Sequence, residues 1–253
     1  MQKILIIQTA FIGDVVLATA MLEKLHKQLP AASLDMLVRK GNESLFNGHP
    51  FMNRVLVWDK QKRKYSNLWN TIREIRKNRY DMVINVQRFA ATGLMTILSG
   101  SPVTIGFDKN PFSLFFSKKI GHQVNEEGRP MHEIDRNQLL LNTIAAGAAA
   151  MPRLYPSVND FEKLSALKNQ PYICIAPASV WFTKQFPARQ WELFINQIPP
   201  GMKIYLLGGR GDIALCESIK AHAGNISVEN LAGKLSFLES AALQKDALMN
   251  YVN

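Results

Sequence analysis

The sequence predicts an α/β chain made of two Rossmann-like, doubly wound parallel-sheet domains in tandem. Three observations carry this. Short β-rich apolar runs alternate with helical segments along the whole chain. Most of those runs are continuous rather than alternating, the pattern of parallel strands buried on both faces. Several end in glycine-bearing or polar loops that lead into a helix, as strand–loop–helix units do.

The first apolar run, Lys3–Gln8 (KILIIQ), reads as a strand and ends in a loop holding Gly13 and Asp14. Val15–Gln28 follows as a helix, with apolar side chains at positions 15, 16, 18, 22 and 25. Ser33–Val38 and Arg54–Val57 are predicted strands, and Asn67–Arg79 a basic amphipathic helix. Asp81–Val86 (DMVINV) and Pro102–Gly106 are strands, and Glu133–Ala146 a helix. The rhythm breaks where Ala148–Ala150 runs into Pro152 and Pro156, so residues 151–170 are expected to link an N-terminal domain, 1–150, to a C-terminal one, 171–253.

After the break the pattern restarts. Tyr172–Ala176 is a strand, Ala188–Gln197 a helix and Lys203–Leu207 a strand that ends in Gly208-Gly209-Arg210-Gly211. Asp212–Ala223 is a helix, Ser227–Asn230 a strand, Phe237–Lys245 a helix and Leu248–Val252 a strand. No sequence repeat links the halves. The second half stops at the tip of a strand, where a Rossmann-like fold would continue into a ligand-binding loop, and it is expected to be incomplete.

Composition narrows the class. The chain has 253 residues, 47% apolar and 20% charged, which excludes disorder, collagen and coiled coil. A formal charge of +10 points to an anionic partner: nucleic acid, a phosphorylated small molecule or a membrane surface. Cys174 and Cys216 form no CxxC, so neither a disulfide scaffold nor a zinc ribbon is expected. No apolar run reaches the roughly 18 residues of a membrane span. Lys3, the apolar run and Ala18-Thr19-Ala20 imitate a secretory signal, but Gln8, Gly13 and Asp14 interrupt its core, so a cytoplasmic chain is expected.

Several residues could carry chemistry. Asp14 follows the first strand at the start of a helix; it is either a helix N-cap or a general base at the carboxyl edge of the sheet. Ser179 and Lys184 lie on a loop between a strand and a helix opened by Pro187, which suits a diphosphate, although a lysine on a loop is more often simply solvated. Gly208 and Gly209 would let a ligand approach the backbone, or only make a tight turn. The run Lys60-Gln61-Lys62-Arg63-Lys64 and the helix charges Arg73, Arg76, Lys77 and Arg79 form either a solvated face or a contact for phosphate or anionic lipid. No helix-turn-helix, zinc or aromatic RNA-binding pattern accompanies them, which disfavours nucleic acid. Asp-x-Asp, HExxH, GxSxG and P-loop motifs are absent, and His26, His49, His122, His132 and His222 are scattered.

The segments KILIIQTAFIGDVVLATAMLEKL, YDMVINVQ, IAPASVWFTKQFPARQW, LLGG and NLAGKLSFLESAAL, in that order through essentially the whole chain, resemble glycosyltransferase family nine, the ADP-heptose:lipopolysaccharide heptosyltransferases. The resemblance implies a GT-B architecture, with an N-terminal acceptor domain and a C-terminal nucleotide-sugar domain. It implies inverting transfer of a heptose or related sugar from an ADP-sugar to a phosphorylated lipopolysaccharide core, without metal or cofactor. Asp14 matches the family's proposed base, Lys184 the lysine that neutralises the donor diphosphate, Ser179 the hydroxyl at the phosphates, and the LLGG segment puts Gly208 and Gly209 on the donor side. The basic loop with Lys60, Lys62, Arg63 and Lys64 falls where the acceptor domain meets the lipid core, and His132 and Arg136, in the H-x-x-x-R stretch, face the same acceptor. The implied protein is a monomer on the inner face of the membrane with no nucleic-acid partner.

The family continues past a strand such as ALMNYVN with an Asp-Ser-Gly-Pro-x-His segment, whereas this sequence ends at Asn253. The polypeptide alone is therefore expected to have little or no transferase activity. The alternative is a non-catalytic module that binds anionic lipid or nucleotide. An NAD-dependent oxidoreductase is disfavoured because Ile4–Gly13 lacks a GxGxxG turn.

Overall fold

Parallel strand pairing organises both halves of the chain. The computed structural model describes residues 2–126, 128–224 and 227–253. They fall into two units, Met1–Tyr155 and Pro156–Asn253.

The first unit runs β1 (Lys3–Ile7), α1 (Ile12–Gln28), β2 (Ser33–Arg39), β3 (Met52–Trp58), α2 (Lys64–Asn78), β4 (Met82–Asn85), α3 (Ala90–Ile97), β5 (Val103–Phe107) and β6 (Lys118–Ile120). A short hairpin, β7 (Asn125–Glu126) with β8 (Arg129–Pro130), precedes α4 (Glu133–Leu139). The six-stranded sheet has the order β3-β2-β1-β4-β5-β6 with every pairing parallel. This is the doubly wound order, whose switch point lies between β1 and β4. The continuous run in β1 has a direct cause: Ile4 and Ile6 enter one core with Val15, Met21 and Leu22 of α1, while Leu5 and Ile7 enter the other with Leu68 and Ile72 of α2 and Met95 of α3. All four β1 side chains are fully buried, each contributing about 1.5–3 kcal/mol of transfer free energy.

Two helix boundaries and one helix stand out against the sequence reading. α1 starts at Ile12, so Gly13 and Asp14 lie inside the helix rather than on a loop; Ile12 packs on the core and the Val15 amide donates to the Phe11 carbonyl at 3.2 Å. The helix predicted to reach Ala146 ends at Leu139, and the chain beyond it tightens into turns. Its carbonyls are taken by side chains of α1 instead: Lys24 donates to Ala148 at 2.8 Å and Gln28 to Ala146 at 2.9 Å. α3 had no sequence assignment. Its Gly93 admits Asn110 so closely that a Cβ there would stand 2.1 Å from Oδ1.

The second unit comprises α5 (Val158–Glu162), β9 (Tyr172–Ala176), α6 (Ala188–Asn196), β10 (Lys203–Leu206), α7 (Ile213–His222), β11 (Val228–Asn230), α8 (Phe237–Asp246) and β12 (Met249–Val252). Its parallel sheet is ordered β11-β10-β9-β12, and its core fills both faces, with Ile173 and Ile175 toward α6 and α7, and Tyr172 and Cys174 toward α8. Residues 151–170 do not hang free. Arg153 and Tyr155 fasten to Thr19 and Glu23 of α1, at 3.0 and 2.9 Å. Lys163 and Lys168 pair with Glu239 and Asp246 of α8, at 2.9 and 2.6 Å. Among the described residues, no helix is long and apolar enough to cross a membrane.

Candidate functional site

In the first unit the carboxyl ends of the strands collect the candidate residues, as a doubly wound sheet requires. The switch point is closed by a buried polar bridge. Gln87, after β4, donates from Nε2 to Gln8 Oε1 at 2.8 Å and accepts the Thr9 hydroxyl at 2.6 Å. This ties down the segment that leads into α1. Asp14 lies in the first turn of α1 and is partly buried. It is not the N-cap: Phe11 holds that position, extended and without a side-chain bond.

α4 packs against α1 and brings a second carboxylate to the same place. Glu133 sits in the first turn of α4, and burial, then the charge of Asp14, hold its carboxyl above the usual range. Arg136 pairs with Glu133 at 3.7 Å. His132 is the N-cap of α4, its Nδ1 accepting the Ile134 amide at 3.3 Å. His122 joins them: burial, then the charges of Arg136 and Arg88, depress its pKa. Asp14, Glu133, His132, Arg136, His122 and Arg88 thus form one mixed-charge cluster. It could bind a polyhydroxylated, anionic molecule and take a proton from it.

Lys60 separates from the rest of its basic run. Its ammonium donates to the Thr9 carbonyl at 2.6 Å and lies 4.9 Å over the Trp58 ring. Burial first, then Arg39 and Lys64, lower its pKa. Lys62, Arg63 and Lys64 are exposed, with Arg63 in the left-handed region (φ 43°) at the N-cap of α2.

In the second unit, Ser179 and Lys184 lie on the loop after β9. The Ser179 hydroxyl accepts the Trp181 amide at 3.2 Å, and its carbonyl accepts from Gln185 at 2.7 Å. Lys184 is exposed, and among the described residues its ammonium has no partner. It stands on the rim of a concavity of about 500 Å³ lined also by Phe186, Trp191, Phe194 and Tyr251. Asn253, after β12, accepts the Phe186 amide at 2.8 Å and donates to the Pro177 carbonyl, holding the loop at both ends. Gly208 and Gly209 follow β10. A Cβ on Gly208 would meet the Asp212 Cβ at 2.8 Å, and the Gly209 amide donates to Asp212 Oδ2 at 2.7 Å. The glycines therefore serve the approach of Asp212, a carboxylate of this chain on the amide a phosphate would use.

Sequence reasoning missed Arg39, Arg88, Glu133, His122, Asp212 and Asn253. For Arg39, Arg88 and Asn253 the signal was present, since each lies at or just beyond the carboxyl end of a strand read from the sequence. Among the described residues, no group of three or more His, Cys, Asp or Glu side chains could hold a metal ion.

The model of glycosyltransferase family 9 (heptosyltransferase) matches residues 68–249. Lipopolysaccharide heptosyltransferase 3 of Escherichia coli is 24% identical over 245 residues, which cover 92% of this chain and 72% of that protein. Among solved structures, a family 9 glycosyl transferase from Veillonella parvula superposes with a TM-score of 0.85 at 20% identity, over 98% of this chain and 75% of that one. The ADP-heptose lipopolysaccharide heptosyltransferase II of E. coli gives 0.83 at 18% identity, over 100% and 79%. The expected GT-B class, with two Rossmann-like parallel-sheet domains, is thereby met.

Proposed function

The chain belongs to glycosyltransferase family 9, and on that premise we propose that it transfers a heptose from an ADP-sugar to a phosphorylated lipopolysaccharide core acceptor, with inversion and without a metal. The similar E. coli proteins named for lipopolysaccharide and for ADP-heptose support both halves of the reaction. The observation that carries the reading is the placement of Asp14. A partly buried carboxylate stands in the first turn of α1 at the carboxyl edge of the sheet, and its charge acts on Glu133, which Arg136 and His132 also face.

Asp14 takes the proton of the acceptor hydroxyl as it attacks the anomeric carbon, and ADP departs from the opposite face. Lys184, unpartnered on its loop, neutralises the diphosphate, with the Ser179 hydroxyl beside it. Lys60, Lys62, Arg63 and Lys64 meet the acceptor's phosphates. The outer face of α2 meets the anionic lipid surface that carries the acceptor. Tyr65, Trp69, Arg73 and Lys77 recur every fourth residue along one stripe, all exposed, and none has a partner among the described residues.

The test is ADP release from ADP-heptose with a phosphorylated core acceptor, where turnover by the native chain would set aside the expectation that this polypeptide alone has little or no activity. Asp14→Asn should slow turnover by about 10²–10⁴-fold, the usual worth of a general base, while ADP affinity stays unchanged and chelators have no effect. Turnover that survives Asp14→Asn would overturn the assignment.

A further inference from the structure

We propose that Arg39 and Lys60 form a built subsite for one phosphomonoester, distinct from the exposed basic loop at 62–64. They line a cavity of about 220 Å³ with Lys40, Gly41, Trp58, Asp59 and Gln61, where β2 and β3 end. The subsite itself needs no assumption about the reaction. That its phosphate belongs to the saccharide acceptor rests on the proposed function.

The argument is one of uncompensated charge. Lys60 is half-buried, its ammonium fixed on the Thr9 carbonyl and over Trp58. Arg39, last residue of β2, lies 4.8 Å over the Phe11 ring. Both cations are therefore held on rigid aromatic surfaces rather than waving in solvent. Neither has a carboxylate partner among the described residues. The acids nearby are engaged elsewhere: Asp59 with Lys40 at 3.0 Å and with the amides of Gln61 and Lys62, and Glu43 with the Gly41 amide. Two like charges in a concave, partly desolvated place destabilise each other until an anion enters. A guanidinium fork beside an ammonium suits a phosphate dianion. Arg39 also joins the subsite to α1, because Phe11, under Arg39, is the N-cap of the helix that bears Asp14.

The experiment follows the backbone amide resonances of Gly41 and Gln61 in the full chain as inorganic phosphate or glucose 6-phosphate is added. It is run on the native protein, on Arg39→Gln and on Lys62→Gln/Lys64→Gln. Both ligands should shift these amides saturably. Arg39→Gln should weaken binding roughly tenfold, the loss of one charge-assisted contact, and the loop variant less than about twofold. The spectra report folding directly, so a misfolded variant is recognised and replaced by Arg39→Lys, which keeps the charge and loses the fork. No saturable shift, or a loss that follows Lys62 and Lys64 instead of Arg39, would overturn the subsite. Vesicles of phosphatidylcholine with phosphatidic acid separate the sources. Arg39→Gln should leave vesicle binding intact; if it weakens vesicle binding but not glucose 6-phosphate binding, the phosphate belongs to a lipid headgroup and the acceptor assignment falls. Because neither donor nor turnover is involved, failure here leaves the heptose-transfer reading standing, and the converse holds.

Discussion

Glu133, in the first turn of α4, feels the negative charge of Asp14, in the first turn of α1, across two helices that pack together. Burial and the charge of Asp14 raise the pKa of Glu133, against the pull of Arg136. The folded chain thus holds this proton to higher pH than the unfolded chain does. Between those two values stability falls as pH rises, and at neutral pH the ionised Glu133 is a cost. Glu133→Gln should melt at or above the native protein at neutral pH, with the difference vanishing below the carboxylate range. The lost pair with Arg136 keeps the gain under about 1 kcal/mol. Thermal unfolding across pH measures this, and a variant that melts lower at neutral pH would contradict it.

His49 predicts the opposite dependence in the same unit. Its ring packs edge-on against Phe51 at 4.5 Å and Tyr155 at 4.7 Å, and neither ring nitrogen finds a partner. His26, stacked on Phe51, faces the same cluster, as does Glu23 through the Tyr155 hydroxyl. Burial, then the charge of His26, lowers the pKa of His49 from 6.5 to about 4. The unfolded chain therefore binds this proton first as pH falls. The stability is complete above pH 6.5 and is lost towards pH 4, by about 3 kcal/mol at most. His49→Phe, which keeps a ring in place, should flatten denaturant-measured stability over that window. An unchanged slope would show that other groups carry the acid sensitivity.

Most of the fold was legible in the sequence, because buried parallel strands write themselves as unbroken apolar runs: each of Lys3–Gln8, Asp81–Val86 and Tyr172–Ala176 covers an observed strand. What failed was whatever depends on contacts from afar. α4 ends at Leu139 rather than at Ala146, and the turns beyond it are fastened to α1 by Lys24 and Gln28 at the Ala148 and Ala146 carbonyls. α3 has no counterpart in the sequence reading; a glycine lowers helix propensity, and here Gly93 makes room for Asn110. Among the candidate residues of the two units, Asp14 and Lys184 could each be found by their place after a strand. Glu133 could not, since its character comes from burial and then from the charge of Asp14, more than a hundred residues away. The Gly208-Gly209 turn was readable as a turn, but not the capture of its amide by Asp212.

The stripe on α2 predicts a specific membrane behaviour. Trp69→Ser with Tyr65→Ser should weaken binding to vesicles containing phosphatidylglycerol while leaving the fold intact, because both rings are exposed, 75% for Tyr65 and 49% for Trp69. Arg73→Gln with Lys77→Gln should weaken it further, by about 1 kcal/mol for each charge at low salt, and neutral vesicles should bind little in any case. Sedimentation with the vesicles reads out all four conditions. Equal binding by native protein and variants would remove this face from the account.

Calorimetric titration of the full chain with ADP, for the native protein and for Lys184→Ala, tests the proposed function most directly. The account predicts binding by the native chain that weakens at least about tenfold when the ammonium is removed, one charge-assisted contact to the diphosphate. Equal affinity in the two proteins, or no binding by a folded native sample, would contradict it.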